Sequence, residues 1–173
     1  MTQKMKDEIA NSIRDFRLPR YEEIPNVGLY LEQTAKYINE FLEPLPESAL
    51  TPSMISNYVK KHLIASPVRR QYSRDQIAYL IFIALAKNIL SLDALDNFIH
   101  LQQRTYPLPR AYEYFRQEFE GLLRFSFELT DTLESQWANQ TDEARLFHAC
   151  IASLTQKLYL ERCLQAIAAE EKN

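Results

Sequence analysis

The stretch TPSMISNYVKKHLIASPVRRQYSRDQ, residues 51–76, decides the fold. It opens on Thr51-Pro52, a strong helix start. The threonine hydroxyl accepts an orphan backbone N–H, and proline suits the first helical turn, where its missing donor costs nothing. The spacing predicts a helix over 52–62. Met54, Ile55, Tyr58 and Val59 form its inner face, and Ser53, Ser56, Asn57, Lys60 and Lys61 its outer face. Residues 63–72 lose helical periodicity. Leu63, Ile64 and Val68 around Pro67 read as a short two-stranded hairpin or extended wing. Ser73 and Gln76 then make a capping-box pair. The helix they start is apolar on all sides from Ile77 to Ala86. Such a helix must be covered all round, which makes it the central core element.

Working outward, Met5, Ile9, Ile13 and Phe16 predict an amphipathic helix over 3–16, which Leu18-Pro19 ends. Tyr30, Leu31, Ala35, Ile38, Phe41 and Leu42 mark a second helix, followed by a proline-marked connector over 43–50. Ser91 is expected to cap a helix over 92–103. The prolines of Thr105-Tyr106-Pro107-Leu108-Pro109 mark the best domain boundary and divide the chain into residues 1–104 and 105–173. Beyond it, Tyr112, Phe115, Phe119, Leu122, Ser126, Leu129 and Leu133 read as one helix. Phe147, Cys150, Ile151, Leu154, Leu158, Leu164 and Ile167 read as a second, with a turn at Asn139-Gln140-Thr141 between them. The expected fold class is all-α: a helix-turn-helix with a small β wing, then a C-terminal helical hairpin.

Composition excludes several functions. The 173 residues contain two glycines, Gly28 and Gly121, where about twelve are usual. A dinucleotide fingerprint or a Walker-type phosphate loop needs several glycines close together, so neither is present. Cys150 and Cys163 stand thirteen apart on one predicted helix. That separation puts them roughly 20 Å apart along the axis and forbids a disulfide between them. The first 25 residues lack an apolar signal core, and the longest apolar run, Ile77 to Ala86, is too short to span a bilayer. A cytoplasmic protein without membrane contact is expected. His62, His100 and His148 are scattered and no pair has metal-ligand spacing. Neither a catalytic site nor a cofactor is expected.

The net charge of −3 is unevenly placed. No acid occurs between Glu47 and Asp75, whereas Lys60, Lys61, Arg69, Arg70 and Arg74 all lie there with His62. A carboxylate on that surface would repel phosphate. A helix whose outer face is serine, asparagine and lysine suits a major groove, with small polar groups on base edges and lysines on phosphates. Arginines on an adjoining wing would grip flanking backbone or the minor groove. A solvated helix face followed by an ordinary loop would carry the same charges.

These residues also carry a family resemblance. Residues 51–95 resemble a MerR-type winged helix-turn-helix. Ile55-Ser56-Asn57-Tyr58 stands where that family has Leu-Arg-Tyr-Tyr, His62-Leu63-Ile64 replaces Gly-Leu-Ile, Arg70-Gln71-Tyr72-Ser73 matches the wing end, and Ser91-Leu92 the last helix start. More closely, residues from about 18 to 103 resemble an uncharacterised domain family of Firmicutes proteins. The resemblance implies sequence-specific binding of double-stranded DNA by a transcriptional regulator. Ser56 and Asn57 depart from the family's arginine and tyrosine, so those contacts do not carry over. Asn57 becomes a candidate for bidentate pairing with adenine. The expected base readers are Ser53, Ser56 and Asn57. The expected phosphate contacts are Lys60, Lys61, Arg69, Arg70, Tyr72 and Arg74. His62 replaces a helix-closing glycine, which histidine can do in left-handed geometry at some strain.

The apolar stripes of residues 105–173 are too wide for an isolated hairpin to cover. Docking two copies into a four-helix arrangement would bury them and give a homodimer with two reading heads. Packing on the 77–86 helix of the same chain is the other way to cover them. The aromatic run Tyr112, Tyr114, Phe115, Phe119, Phe125, Phe127 and Trp137 is either core or the lining of a small-molecule effector pocket. A helical protein–protein interaction module that has the same fold without DNA binding remains the alternative function.

Overall fold

The computed structural model describes residues 1–132 and 141–171. Among these, seven helices and one two-stranded sheet follow in the order α1 (Gln3–Asn11), β1 (Leu29–Tyr30), α2 (Leu31–Phe41), α3 (Pro52–Lys60), β2 (Gln71–Tyr72), α4 (Arg74–Ala86), α5 (Leu92–Thr105), α6 (Leu108–Ser126) and α7 (Asp142–Glu170). Leu133, Trp137, Asn139 and Gln140 lie outside the described residues. The chain forms two compact units, residues 17–116 and residues 1–16 with 117–173.

The division differs from the one expected at residues 104 and 105. The prolines at 107 and 109 mark only a corner between α5 and α6. Both sit where a helix tolerates proline, before its start and in its first turn, so α6 begins at Leu108 without a break in packing. Buried Gln102 fills that corner. It accepts the Tyr79 hydroxyl at 2.8 Å and donates to the Tyr106 carbonyl at 2.8 Å, carrying α5 on to Thr105.

In the 17–116 unit, α4 is the core. Ile77, Ala78, Leu80, Ile81, Ile83, Ala84, Leu85 and Ala86 are all buried, as its all-round apolarity requires. Around them lie Ile38, Ile55, Tyr58, Leu95 and Ile99, with Leu18 and Ile24 from the chain before β1. Phe82 stacks on Phe98 and meets Phe115 edge-on, each at 5.3 Å between centroids. Both ends of α4 are fixed. The Ser73 and Gln76 capping box forms at one end. At the other, Lys87 Nζ donates to the Glu47 carbonyl at 2.9 Å and Asn88 donates to Ser48 Oγ at 3.0 Å.

These last two bonds hold the connector between α2 and α3 from one side. Asn39 holds it from the other. Its amide donates to the Leu50 carbonyl at 2.8 Å and accepts the Leu50 N–H at 2.9 Å. With Leu42, Leu45 and Leu50 buried beneath it, a connector longer than a tight turn still fixes the start of α3.

The sheet differs from a hairpin within 63–72, one of the two forms expected there. No strand forms over 63–67, and β2 pairs antiparallel with β1, Leu29 opposite Tyr72 and Tyr30 opposite Gln71. Only one bridge, Val68 to Gln71, remains of the hairpin. Gly28 permits the pairing: a Cβ there would stand 2.6 Å from the Gln71 Cβ, closer than packed carbons allow.

In the second unit, α1 packs on α7. The helix expected over 3–16 stops at Asn11, where the Ser12 hydroxyl turns back to the Ile9 carbonyl at 2.7 Å. This local bond competes with helix continuation. Ile13 and Phe16 remain buried beyond it, with Phe16 edge-on to Phe119 at 5.8 Å. The N-terminal helix therefore belongs with the C-terminal residues rather than with the 17–116 unit. Glu118 Oε1 meets His148 Nδ1 at 2.6 Å, and Gln156 donates to Ser126 at 2.9 Å. Cys150 and Cys163 are free and buried on α7, and burial pushes the Cys150 thiol up to about 12.

Replacing Asn39 by alanine leaves both polar groups of buried Leu50 unpaired. Urea unfolding of Asn39→Ala is expected to show a loss of about 2–4 kcal/mol. A loss below about 0.5 kcal/mol would mean that the connector is held without the amide.

Candidate functional site

Helix α3 is built as its sequence reads. The Thr51 hydroxyl accepts the Met54 N–H at 3.1 Å, Ile55 and Tyr58 are buried, and Met54 and Val59 are half-buried. Burial holds the Tyr58 phenol above its usual pKa. Ser53, Ser56, Asn57, Lys60 and Lys61 are exposed. Ser53, Ser56, Asn57 and Lys60 recur at spacings of three, one and three, which places them on one face. None of these five side chains has a hydrogen-bond or ionic partner among the described residues.

The helix closes without glycine. His62 takes φ 59°, the Leu63 N–H returns to the Tyr58 carbonyl at 2.9 Å, and the His62 N–H returns to Val59 at 3.0 Å. This is the Schellman pattern with histidine in the left-handed position. Its two bonds satisfy terminal carbonyls and offset the strain.

The chain then reaches the turn Val68-Arg69-Arg70-Gln71. Arg69 has φ 51° and Arg70 φ 64°, and the Gln71 N–H closes on the Val68 carbonyl at 2.9 Å. Positive φ at both central residues is the signature of a type I′ turn, which strongly prefers asparagine and glycine. An ordinary L-residue there costs about 1–2 kcal/mol. Both arginines are exposed and, like Lys60 and Lys61, have no partner among the described residues. Other cations pair with acids, as in Arg17–Glu23, Arg116–Glu113 and Lys157–Glu161, while Lys36, Arg104 and Arg124 also have no side-chain partner among the described residues.

Two residues expected beside them sit elsewhere. Arg74 is spent inside the unit: its guanidinium donates to the Ile24 carbonyl at 2.8 Å and to Glu22 Oε2 at 3.1 Å, and lies 5.4 Å from the centre of the Tyr21 ring. With only 20% of its side chain exposed, it is a strap between α4 and residues 21–24. Tyr72 is buried in the sheet, and burial raises its phenol pKa. Sequence proximity grouped these two with the exposed cations, but strand alternation turns Tyr72 inward and the first turn of α4 directs Arg74 to Glu22. Asp75, the acid that ends the acid-free stretch, accepts the Tyr21 hydroxyl. Burial and this bond push the Tyr21 phenol up to about 12.

The sequence places Tyr30 in the stripe of the second helix and Val68 in the wing, and neither is expected as a site residue. Tyr30 lies opposite Gln71 and is 52% exposed, and Val68 is 75% exposed. A two-residue strand gives no period to read, so the only local signal was Gly28. The Gln76 amide, besides capping α4, donates to the Ala65 carbonyl at 2.7 Å and braces the wing. Beneath the wing, a cleft of about 560 Å³ opens among His62, Ile64, Val68, Gln76, Tyr79 and His100. None of the aromatic run 112–127 lines it. Of that run, Tyr112, Tyr114, Phe115, Phe119 and Phe127 are core residues and Phe125 is exposed. Among the described residues, no three histidine, cysteine or acidic side chains gather as metal ligands, and no helix is long and apolar enough to cross a membrane.

The double substitution Arg69→Asn with Arg70→Gly relieves strain and removes no internal contact. Thermal or urea unfolding is expected to show a gain of about 1 kcal/mol, because the extra freedom of glycine in the unfolded chain returns part of the relieved strain. A net loss would show that the arginines hold the unit together.

No curated protein matches the chain, and no solved structure matches it. A family model described as a domain of unknown function, DUF1836, matches residues 19–115. This match is more than half of the 173 residues and nearly coincides with the compact unit of residues 17–116, so the chain belongs to the DUF1836 family.

Proposed function

We propose that residues 17–116 act as a winged helix-turn-helix of MerR-like type, and that the protein is a cytoplasmic transcriptional regulator that binds double-stranded DNA. Helices α2 and α3 are the helix pair, and residues 63–72 are the wing. In this reading α3 enters the major groove. Ser53, Ser56 and Asn57 face base edges, with Asn57 suited to adenine, and Lys60 and Lys61 neutralise phosphates. Arg69 and Arg70 engage the duplex beside them.

The observation that carries the reading is the strained arginine turn. Lysines in the last turn of a helix are favoured by its dipole whatever the function, so Lys60 and Lys61 discriminate little. Arg69 and Arg70 are different. They occupy positions where arginine is unfavourable, their side chains have no partner among the described residues, and they fall in the acid-free stretch between Glu47 and Asp75. An external polyanion is the partner that such a pair fits.

The test is fluorescence anisotropy on random-sequence duplex DNA, titrated from low to physiological salt. Binding is expected to fall with a log–log slope of several units. Lys60→Ala and Lys61→Ala are each expected to reduce that slope by about one. Arg70→Ala should weaken binding to all sequences alike, whereas Asn57→Ala should relax preference at one base position. Absence of binding even at low salt would end the DNA reading and point to a protein partner on the same helices.

We also propose a homodimer, formed within residues 105–173. On α7, Leu160 and Leu164 are each 56% exposed and Ile167 is exposed beside them, at spacings of four and three. This is a one-sided apolar stripe of the kind that pairs helices. A dimer would present two reading heads to a two-fold site. Leu160→Glu with Leu164→Glu is expected to sediment as a monomer with helicity retained, and to lose about a hundredfold in affinity for a two-fold site. An unchanged sedimentation coefficient would place the dimer contact elsewhere or remove it.

A further inference from the structure

We infer that the Arg69-Arg70 turn reads the shape of the minor groove, giving the protein a preference for A-tract DNA flanking the site that α3 contacts. This inference rests on the DNA-binding reading above and deepens it.

Three features of the turn support it. The first is placement. The Gln71 N–H closes directly on the Val68 carbonyl, so Arg69 and Arg70 are the two central residues of a tight turn. Their long exposed side chains, rather than the backbone, are what fits a minor groove about 6 Å wide. The second is residue type. A phosphate requires only a point charge, and the chain already offers Lys60 and Lys61 for that on α3. At the tip it has two guanidiniums instead. These are more weakly hydrated than an ammonium and so lose less on entering a narrow groove, where A-tracts concentrate negative potential. The third is rigidity. The wing is braced by Gln76 on Ala65, by buried Tyr72, and by the pairing of Gln71 with Tyr30. A fixed tip with unengaged side chains can discriminate groove width, whereas a loose basic arm adapts to any backbone. Val68 adds an exposed apolar side chain at the tip, in keeping with the sugar walls of that groove.

The experiment uses two pools of random-core duplexes, one flanked by A-tracts and one by G·C steps, retained on the full chain at equal low salt. The wild-type protein is expected to retain the A-tract pool about tenfold more, the size of one base-pair mismatch. The comparison variant is R69K with R70K. Lysine keeps the charge and bears the same backbone strain, so the ratio between pools isolates the guanidinium and cancels any change in overall affinity. The ratio is expected to fall below about twofold. Netropsin, which fills A-tract minor grooves, is expected to displace the wild-type protein from the A-tract pool and to lower its ratio. Equal retention of both pools by a wild-type protein that binds DNA would overturn the inference and leave the arginines as phosphate contacts. An undiminished ratio in the lysine variant would overturn it as well. Failure of the wild-type protein to retain either pool appears in the total rather than in the ratio, and would remove the DNA-binding reading itself.

Discussion

Helix α4 has no polar side to give to solvent, and the 17–116 unit is arranged around that constraint. Eight of its thirteen residues are buried. A large aliphatic side chain contributes about 1.5–3 kcal/mol on burial, which is considerable against the 5–15 kcal/mol of net stability usual for a domain. Leaving any side of the helix uncovered would therefore consume the margin. Helices α2, α3 and α5 and the segment before β1 each supply part of the cover. The polar atoms at the two ends of α4 then fix what lies beyond the core. Gln76 ties down the wing, while Lys87 and Asn88 tie down the connector that leads into α3. The exposed face of α3 and the arginine turn are thus positioned from the same buried element, although neither takes part in the core.

The shortage of glycine shapes the rest. Among the described residues, four non-glycine residues take positive φ, His62, Arg69, Arg70 and Glu128, and neither glycine does. Gly28 is needed for close approach to Gln71 instead. At His62 and Glu128 the left-handed residue closes a helix and two backbone bonds return to the last turn; for Glu128 these are Leu129 N–H to Arg124 at 2.9 Å and Glu128 N–H to Phe125 at 3.1 Å. Strain at a helix end is thus compensated locally.

Much of this was legible in the sequence. The caps at Thr51 and Ser91 and the capping box at Ser73 are set by chemistry within four residues, the apolar run from Ile77 to Ala86 is contiguous, and the structure contains all four. The outer face of α3 followed from periodicity alone. What stayed hidden depends on contacts remote in sequence. Strand β1 has two residues, which find their partners 43 and 41 positions later. Helix α1 packs on α7, and no pattern within residues 3–16 names that partner. Arg74 looked like a member of the basic cluster because Glu22, which engages it, lies fifty-two residues away. Asn39 carries no local signal of its role, yet it matches both polar groups of Leu50.

The arginine turn differs from the helix ends in its local balance. His62 and Glu128 each gain two backbone bonds for one strained residue, whereas Arg69 and Arg70 share one bond between two. Their side chains add no hydrogen bond, ion pair or ring contact among the described residues. An Asn-Gly pair would make the same reversal at lower cost. A residue pair that is locally unfavourable and internally unrewarded runs against the agreement between local preference and global fold found in most of a protein, and such departures concentrate at functional sites. In this chain the departure falls at the tip of the wing, in its longest acid-free stretch, and both residues carry the same charge. Strain alone would mark the tip as a site of interest. Strain combined with paired positive charge in an acid-free stretch of sequence is what supports the proposed anionic partner.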